Sequence, residues 1–201
     1  MLSPQENLKR ATELAFEALC DQPEEQLRWL GAEPAGGAWR LPVLDDAFAV
    51  DQRLRRVTVT SGAEAGAAWR ILALHYLAIR GRPQRQPPEV TFADLSTARS
   101  YAKVYRHRTT ARLCATVGRS LESLQAGAAA IGGRTAEGGD AAFEFDVFPR
   151  VPMRLVWHAP DEEFPPTATF LLPANIESFF SAEDVVVLSE GLVARLCGRT
   201  F

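Results

Sequence analysis

The hydrophobic and polar residues along the chain follow a helical period in some stretches and strict alternation in others. Apolar residues spaced by three and four positions indicate amphipathic helices, and alternation indicates half-buried strands. The clearest helical stretch is 62–80, and the clearest alternating stretch is 142–148. These patterns predict helices at 4–20, 21–30, 62–80, 98–117, 121–131 and 181–196, and strands at 39–44, 47–51, 55–60, 142–148, 153–157 and 167–172.

Capping and turn residues mark several boundaries of these elements. Ser3-Pro4-Gln5-Glu6 predicts a capping box at the start of the first helix, and Ser181-Ala182-Glu183-Asp184 predicts another at the start of the last. We expect a helix break at Thr109 and Thr110. The stretches 82–88 and 159–166 are predicted to be loops because each of their prolines restricts the residue before it.

The order of the elements favours an α+β fold. A single domain is predicted over 1–201, with an N-terminal helical segment at 1–36 and the body of the fold at 37–201. We expect a mixed or mainly antiparallel sheet built from 39–60 and 142–172, with helices packed against it. Residues 33–37 are expected to form a loop. Pro42 has no N–H to donate, so it is expected on an edge strand or at a bulge.

The composition agrees with a chain that builds its own core. Of the 201 residues, 47% are hydrophobic and 23% are charged, as in average globular proteins. No apolar run is long enough to cross a membrane, and the first residues lack the pattern of a signal peptide. We therefore expect a soluble, cytoplasmic protein. Cys20, Cys114 and Cys197 stand singly and are expected to be small buried apolar residues.

Positive charge is concentrated in one stretch of this acidic chain. Residues 80–119 contain nine lysine and arginine residues and two acidic ones, so they carry +7 while the whole chain carries −3. Such a stretch can attract phosphate groups, other anions or an acidic partner. Arginine suits this role because its guanidinium can donate hydrogen bonds to two oxygens of a planar anion. On a helical projection one face collects the predicted anion-binding residues, which are Arg99, Lys103, Arg106 and His107.

A second interpretation of the basic helix is structural. Its cations would then pair with the acidic remainder of the same chain and would otherwise be solvated. In both interpretations Val104, Ala111 and Ala115 are predicted to lie roughly opposite the cations. Nucleic acid is not expected as a partner, since the domain is acidic overall and has no aromatic RNA-binding signature or zinc finger.

The loop at 159–166 is the second candidate site. His158 can accept or donate a proton near neutral pH, and a carboxylate close by can orient it or join it in binding a divalent metal. The predicted catalytic residues are His158, Asp161, Glu162 and Glu163, with Trp157 as a ligand-binding residue. The spacing matches no specific metal motif, so no metal ligand is assigned. In the alternative interpretation the acids form a solvated turn, and Trp157 and His158 alternate between core and surface.

Several motifs of the second half match a known family. The chain resembles the bacterial and archaeal family called domain of unknown function 3786 over roughly residues 41–196. The motifs are Ile131-Gly132-Gly133, Gly139-Asp140, Phe148-Pro149-Arg150-Val151-Pro152, Trp157, Asp161-Glu162-Glu163-Phe164-Pro165 and Glu183-Asp184. The resemblance implies no settled activity. It implies an association with corrinoid and iron–sulfur metabolism, although the cysteine-rich segment of some relatives is absent from this sequence.

Two functions from different classes follow from these observations. The first is a non-catalytic accessory or ligand-binding protein, serving a corrinoid- or metal-dependent system, with an unidentified small molecule or protein as its partner. The second is an enzyme that uses His158 and a nearby carboxylate as acid and base on an anionic small molecule. No cofactor is assigned, because no dinucleotide-binding or phosphate-binding loop is present. His75 is expected to be a hydrogen-bonded core residue, with axial ligation of a tetrapyrrole metal as the alternative.

Overall fold

The computed structural model describes residues 4–96 and 98–201. Ser3 of the predicted first capping box lies outside these residues, as does the side chain of Arg99. The chain divides into two compact units, one extending to Pro83 and including Phe201, the other comprising Gln84–Thr200. Each unit is described by itself.

The first unit combines a four-stranded sheet with three helices. Its strands pair antiparallel in the order β1-β2-β3-β4. The predicted loop at 33–37 is wrong, because its first residues form a strand that Gly36 and Gly37 turn back, both at positive φ (59° and 90°). The elements are α1 (Pro4–Leu19), α2 (Glu24–Trp29), β1 (Glu33–Ala35), β2 (Ala38–Val43), β3 (Asp46–Asp51), β4 (Arg56–Val59) and α3 (Ala67–Leu77).

Two side-chain amides complete the end of α3. The Gln22 amide donates to the carbonyls of Leu77 and Ile79, and the Gln26 amide donates to those of Ile79 and Gly81. The last carbonyls of a helix have no partner within it; Gln22 satisfies that of Leu77, and the two glutamines also bind the carbonyls of Ile79 and Gly81, which follow the helix. Pro42 lies beyond the part of β2 that pairs with β1. The N–H that proline lacks is therefore not needed for a hydrogen bond to β1.

The second unit combines a five-stranded sheet with four helices. Its strands pair antiparallel in the order β5-β9-β8-β7-β6. The elements are β5 (Pro88–Val90), α4 (Ala102–Arg108), α5 (Thr110–Ala115), α6 (Leu121–Ala130), β6 (Arg134–Ala136), β7 (Ala141–Phe148), β8 (Val151–His158), β9 (Thr167–Pro173) and α7 (Ala182–Leu196).

The alternation predicted for β7 is present in the structure. Phe143, Phe145 and Val147 are buried, while Glu144 and Asp146 on the other face are partly exposed. The capping box of α7 is present too: the Ser181 hydroxyl accepts from the Asp184 amide, and the Asp184 carboxylate accepts from the Ser181 amide.

These observations confirm the α+β fold class with antiparallel sheets packed by helices. The strands predicted to share one sheet form two separate sheets. The assignment of the whole chain to a single domain stays a prediction. Within the described part of the chain, no helix is long and apolar enough to cross a membrane. Burial of the cysteines was predicted wrongly for Cys20 and Cys197, which are exposed, while Cys114 is half-buried and the resulting desolvation raises the pKa of its thiol.

The predicted break in the basic helix is confirmed, but Val104 and Ala111 do not lie opposite the cations, because they line one groove together with them. Thr109, at φ −115° and ψ −90°, separates α4 from α5, and its hydroxyl donates to the Tyr105 carbonyl. Tyr105 and Leu113 face the core, whereas Val104 is 42% exposed. Ala111 and Ala115 are exposed as well. A tyrosine and a leucine bury more apolar area than a valine and two alanines, so they determine which face turns inward.

Candidate anion-binding site

Tyr105 fixes the orientation of α4. Its ring stacks on Phe92, with ring centroids 4.1 Å apart and planes at 3°. Its hydroxyl donates to Ser189 Oγ of α7 at 2.9 Å, and Ser189 in turn donates to the Val185 carbonyl. Burial raises the pKa of the Tyr105 phenol. Because this residue is anchored in the core, the side chains on the opposite face of α4 point to solvent.

Arg108 ties the end of α4 to α7. Its Nε and Nη2 atoms donate to the two carboxylate oxygens of Glu190, each at 2.8 Å, and Nη1 donates to the Tyr101 hydroxyl at 3.0 Å. The Glu190 carboxylate raises the pKa of the guanidinium further above its ordinary value. Both partners are partly buried, so this fork is a structural contact, and with the bond to Tyr101 it uses three of the five N–H donors of Arg108.

Lys103, Arg106 and His107 form what we call the α4 cation face. All three are exposed, and none makes an ion pair with another described residue. Arg82 and Arg85 of the same basic stretch do pair, with Glu25 and Asp146 respectively. The structural interpretation therefore holds for part of the stretch, and on the α4 cation face the charges of Lys103 and Arg106 remain available to another partner.

A cavity of about 250 Å³ lies beside this face. Its lining comes from three segments that are distant in sequence: 91–93, α4 with Thr110, and 168–170. We call it the Arg106 cavity, because Arg106 is the only charged residue among the described residues that line it. The apolar part of the wall includes Phe92, Ala102, Ala168 and Phe170. Arg106 also lines a neighbouring groove of about 330 Å³ with Lys103, Val104, His107 and Ala111.

One wall of the Arg106 cavity is part of β9. On that side β5 pairs only with Leu172 and Pro173, at the end of the strand. The preceding residues, 168–170, pair with β8 on the other side and line the cavity. An unpaired strand edge offers backbone donors and acceptors, so the cavity combines apolar walls, backbone polar groups and one guanidinium.

The 159–166 loop is arranged differently from the predicted catalytic constellation. The carboxylate beside His158 is Asp140, whose Oδ2 lies 3.9 Å from His158 Nδ1 and accepts the Ala159 amide at 2.8 Å. Asp161 Oδ1 instead accepts the amides of Glu163 and Phe164, at 2.8 and 2.7 Å. The His158 side chain is 57% exposed. The structure thus brings His158 to Asp140, and it places Asp161 in a turn.

Trp157 occupies a core position. It is 2% exposed, and its indole N–H donates to the Gly118 carbonyl at 2.8 Å. Trp157 and His158 therefore alternate between core and surface, and the indole lies out of reach of a ligand bound at the surface. A catalytic role for His158 with Asp161, Glu162 or Glu163 stays a prediction.

The structure adds residues that the sequence did not single out for binding. Phe92, Ala168 and Phe170 enter the cavity wall from two segments outside α4. Asp140, named in the sequence only as part of the Gly139-Asp140 motif, is the carboxylate next to His158. The Gly139-Asp140 motif before an alternating strand was the available signal for Asp140, whereas no pattern of the sequence indicated that 91–93 and 168–170 line one cavity with α4.

Comparison with known protein families gives a match over most of the chain. A family model described as Domain of unknown function (DUF3786) matches residues 22–195. Neither the curated proteins nor the solved structures include a match. The matched range contains the α4 cation face, the Arg106 cavity and His158, so all the candidate residues lie inside the region that the family shares.

Proposed function

The chain belongs to the family Domain of unknown function (DUF3786), as its motifs suggested, and from the geometry of its own residues we propose that it is a non-catalytic accessory protein that binds an anionic ligand. The observation that carries this proposal is Arg106, an arginine without an ion-pair partner among the described residues, at an apolar cavity of about 250 Å³. Ligand sites are typically apolar clefts with a few polar groups that orient the ligand.

The chemistry of the cavity favours a particular kind of anion. Arg106 would bind a carboxylate or phosphate through two parallel hydrogen bonds. The aromatic residues Phe92, Tyr105 and Phe170 would contact an apolar part of the same molecule. A small organic acid with an aromatic or branched apolar group satisfies both requirements, and an inorganic anion satisfies only the first.

Metal and corrinoid binding gain no support from the side chains. Among residues 4–96 and 98–201, no three histidine, cysteine, aspartate or glutamate side chains are placed to hold a metal ion. His75 lies half-buried in α3 of the first unit, and axial ligation by it stays a prediction. We propose a cytoplasmic location for the protein on the basis of its sequence.

Calorimetric titration with benzoate and with inorganic phosphate tests the proposed function. We expect benzoate to bind the wild-type protein, and R106Q to weaken its binding at least about tenfold, because the charged hydrogen bonds are lost. The matched control is R112Q, which removes an exposed arginine of α5 outside the cavity lining. Equal affinities in R106Q and wild type, or no binding of either probe, would contradict the proposal.

The Asp140–His158 contact favours an acid–base enzyme as a second candidate function. Asp140 Oδ2 lies 3.9 Å from His158 Nδ1 and is itself held by the Ala159 amide, so a shift to hydrogen-bond distance would let it orient His158 as a general base. Hydrolysis of p-nitrophenyl acetate tests this candidate. Loss of hydrolysis in H158Q but not in H107Q would support it, and equal rates in the wild type and H158Q would exclude it for this reaction.

A further inference from the structure

The turn between β8 and β9 presents an aromatic side chain to solvent. Phe164 is 64% exposed, the largest exposure among the large hydrophobic residues in the described part of the chain. It is preceded by Asp161, Glu162 and Glu163. We call residues 161–164 the acidic turn. An exposed aromatic ring is available as an anchor for a binding partner, because aromatic side chains are enriched at the cores of protein interfaces.

The acidic turn has a defined shape. Asp161 Oδ1 accepts the amides of Glu163 and Phe164, and the Asp161 amide donates to the Phe164 carbonyl at 3.0 Å. Pro160 on one side, and Pro165 with Pro166 on the other, restrict the flanking backbone. The backbone that carries Phe164 is therefore already ordered before binding, which reduces the conformational entropy lost on association.

The charges of the acidic turn complement those of the α4 cation face. Glu162 and Glu163 are exposed and make no ion pair with another described residue. Lys103, Arg106 and His107 are likewise exposed and without carboxylate partners in the described chain. One surface offers an aromatic ring beside two carboxylates, and the other offers an apolar cavity beside cations.

We propose that the acidic turn of one copy of this protein binds the Arg106 cavity of a second copy. Phe164 enters the apolar cavity, and Glu162 and Glu163 contact Lys103 and Arg106. This inference rests on the proposed function, since it gives the anion site a protein occupant. Within one molecule, Phe164 is exposed and does not line the Arg106 cavity. The proposed occupant of the cavity is therefore the acidic turn of another molecule.

The proposed contact has a consequence for ligand binding. A carboxylate ligand and the acidic turn would compete for Arg106, so self-association would cover the site and a ligand would release it. Because two different surfaces meet, the contact is heterologous. Two molecules can then bind each other reciprocally, or each molecule can bind the next and form an open chain. A contact of this small size is weak, and it forms at high protein concentration.

Analytical ultracentrifugation of charge-reversed variants tests the proposal. The wild type is expected to associate as its concentration rises from low micromolar to near millimolar. K103E/R106E places an acidic cavity against an acidic turn, and E162K/E163K places a basic turn against a basic cavity, so each variant alone is expected to remain monomeric. An equimolar mixture of the two restores opposite charges at both contacts and is expected to associate.

Matched apolar variants test the role of the aromatic ring. F164S is expected to weaken association about tenfold or more, in keeping with loss of a central aromatic anchor. L54S is the control, because Leu54 is 57% exposed in the first unit and outside the proposed contact. Association that is unchanged in F164S, or a mixture of charge-reversed variants that stays monomeric, would overturn the proposal.

The failure of this inference can be distinguished from failure of the proposed function. Titration of benzoate into dilute wild-type protein reports the anion site without self-association. A wild type that remains monomeric at every concentration but binds benzoate through Arg106 would overturn the self-association alone. A wild type that associates but does not bind benzoate would contradict the small-anion function and would still support the contact between two copies.

Discussion

The outer face of the five-stranded sheet and the exposed face of α4 use cations in opposite ways. On the sheet, Arg134 contacts both Asp146 and Glu144, and Arg154 contacts Glu144 at 3.1 Å. The bond to Asp146 raises the pKa of the Arg134 guanidinium. On α4, Lys103 and Arg106 have no such partners in the described chain. Net charge along the sequence is therefore a poor guide to function, because pairing decides which cations remain free for a ligand.

Loss of Arg108 is expected to give the largest effect on stability within this comparison. R108A leaves the Glu190 carboxylate partly buried and removes a two-point fork, so we expect the free energy of unfolding to fall by about 1.5 kcal/mol. R112A is the control, because it removes an exposed arginine of α5 that makes no ion pair with a described residue. Urea unfolding followed by circular dichroism measures both, and equal losses in the two variants would contradict the assignment of Arg108 as a structural cation.

Loss of the Tyr105 hydroxyl is expected to give a smaller effect. Y105F removes the hydrogen bond to Ser189 but keeps the ring on Phe92, and Ser189 still donates to the Val185 carbonyl. We expect a loss of about 1 kcal/mol in the free energy of unfolding. A double-mutant cycle with S189A isolates the bond. Strictly additive losses would show that the two hydroxyls do not interact.

The exposed pair of Arg82 and Glu25 is expected to show its effect in titration. The hydrogen bond and charge of Arg82 lower the pKa of the Glu25 carboxyl, so the pair stabilises the fold at neutral pH and this contribution is lost as the pH falls through that pKa. In R82Q the pKa is expected to rise to its ordinary range, as measured by NMR titration. R85Q should leave it unchanged, and a pKa that is the same in R82Q and the wild type would contradict the pairing.

Removal of the unpaired cations is expected to give the smallest effect on stability. K103Q/R106Q breaks no ion pair to a described residue, so its free energy of unfolding should stay within about 0.5 kcal/mol of the wild type. Benzoate binding should still be weakened in this variant. A large loss of stability would place Arg106 among the structural cations and remove the basis of the proposed anion site.

Local patterns were sufficient for most elements of the fold. The alternation of Phe143, Phe145 and Val147 predicted β7, and the Ser181 capping box predicted the start of α7, because both depend only on neighbouring residues. The same reasoning failed for 33–37, where a short exposed strand has no apolar alternation to reveal it. It also failed for Val104, which was predicted to lie opposite the cations and instead lines a groove beside them. Which face of α4 is buried depends on the elements that pack against it.

The sequence by itself determined the fold class, the family and the presence of a concentrated cationic stretch. Tertiary structure alone decided which of those cations are paired, because Glu190 lies more than 80 residues from Arg108 in sequence and meets it only through the packing of α4 and α7. It also assembled the Arg106 cavity from three separate segments and placed Asp140 beside His158. Such contacts arise from long-range packing, which no local period of hydrophobic residues encodes.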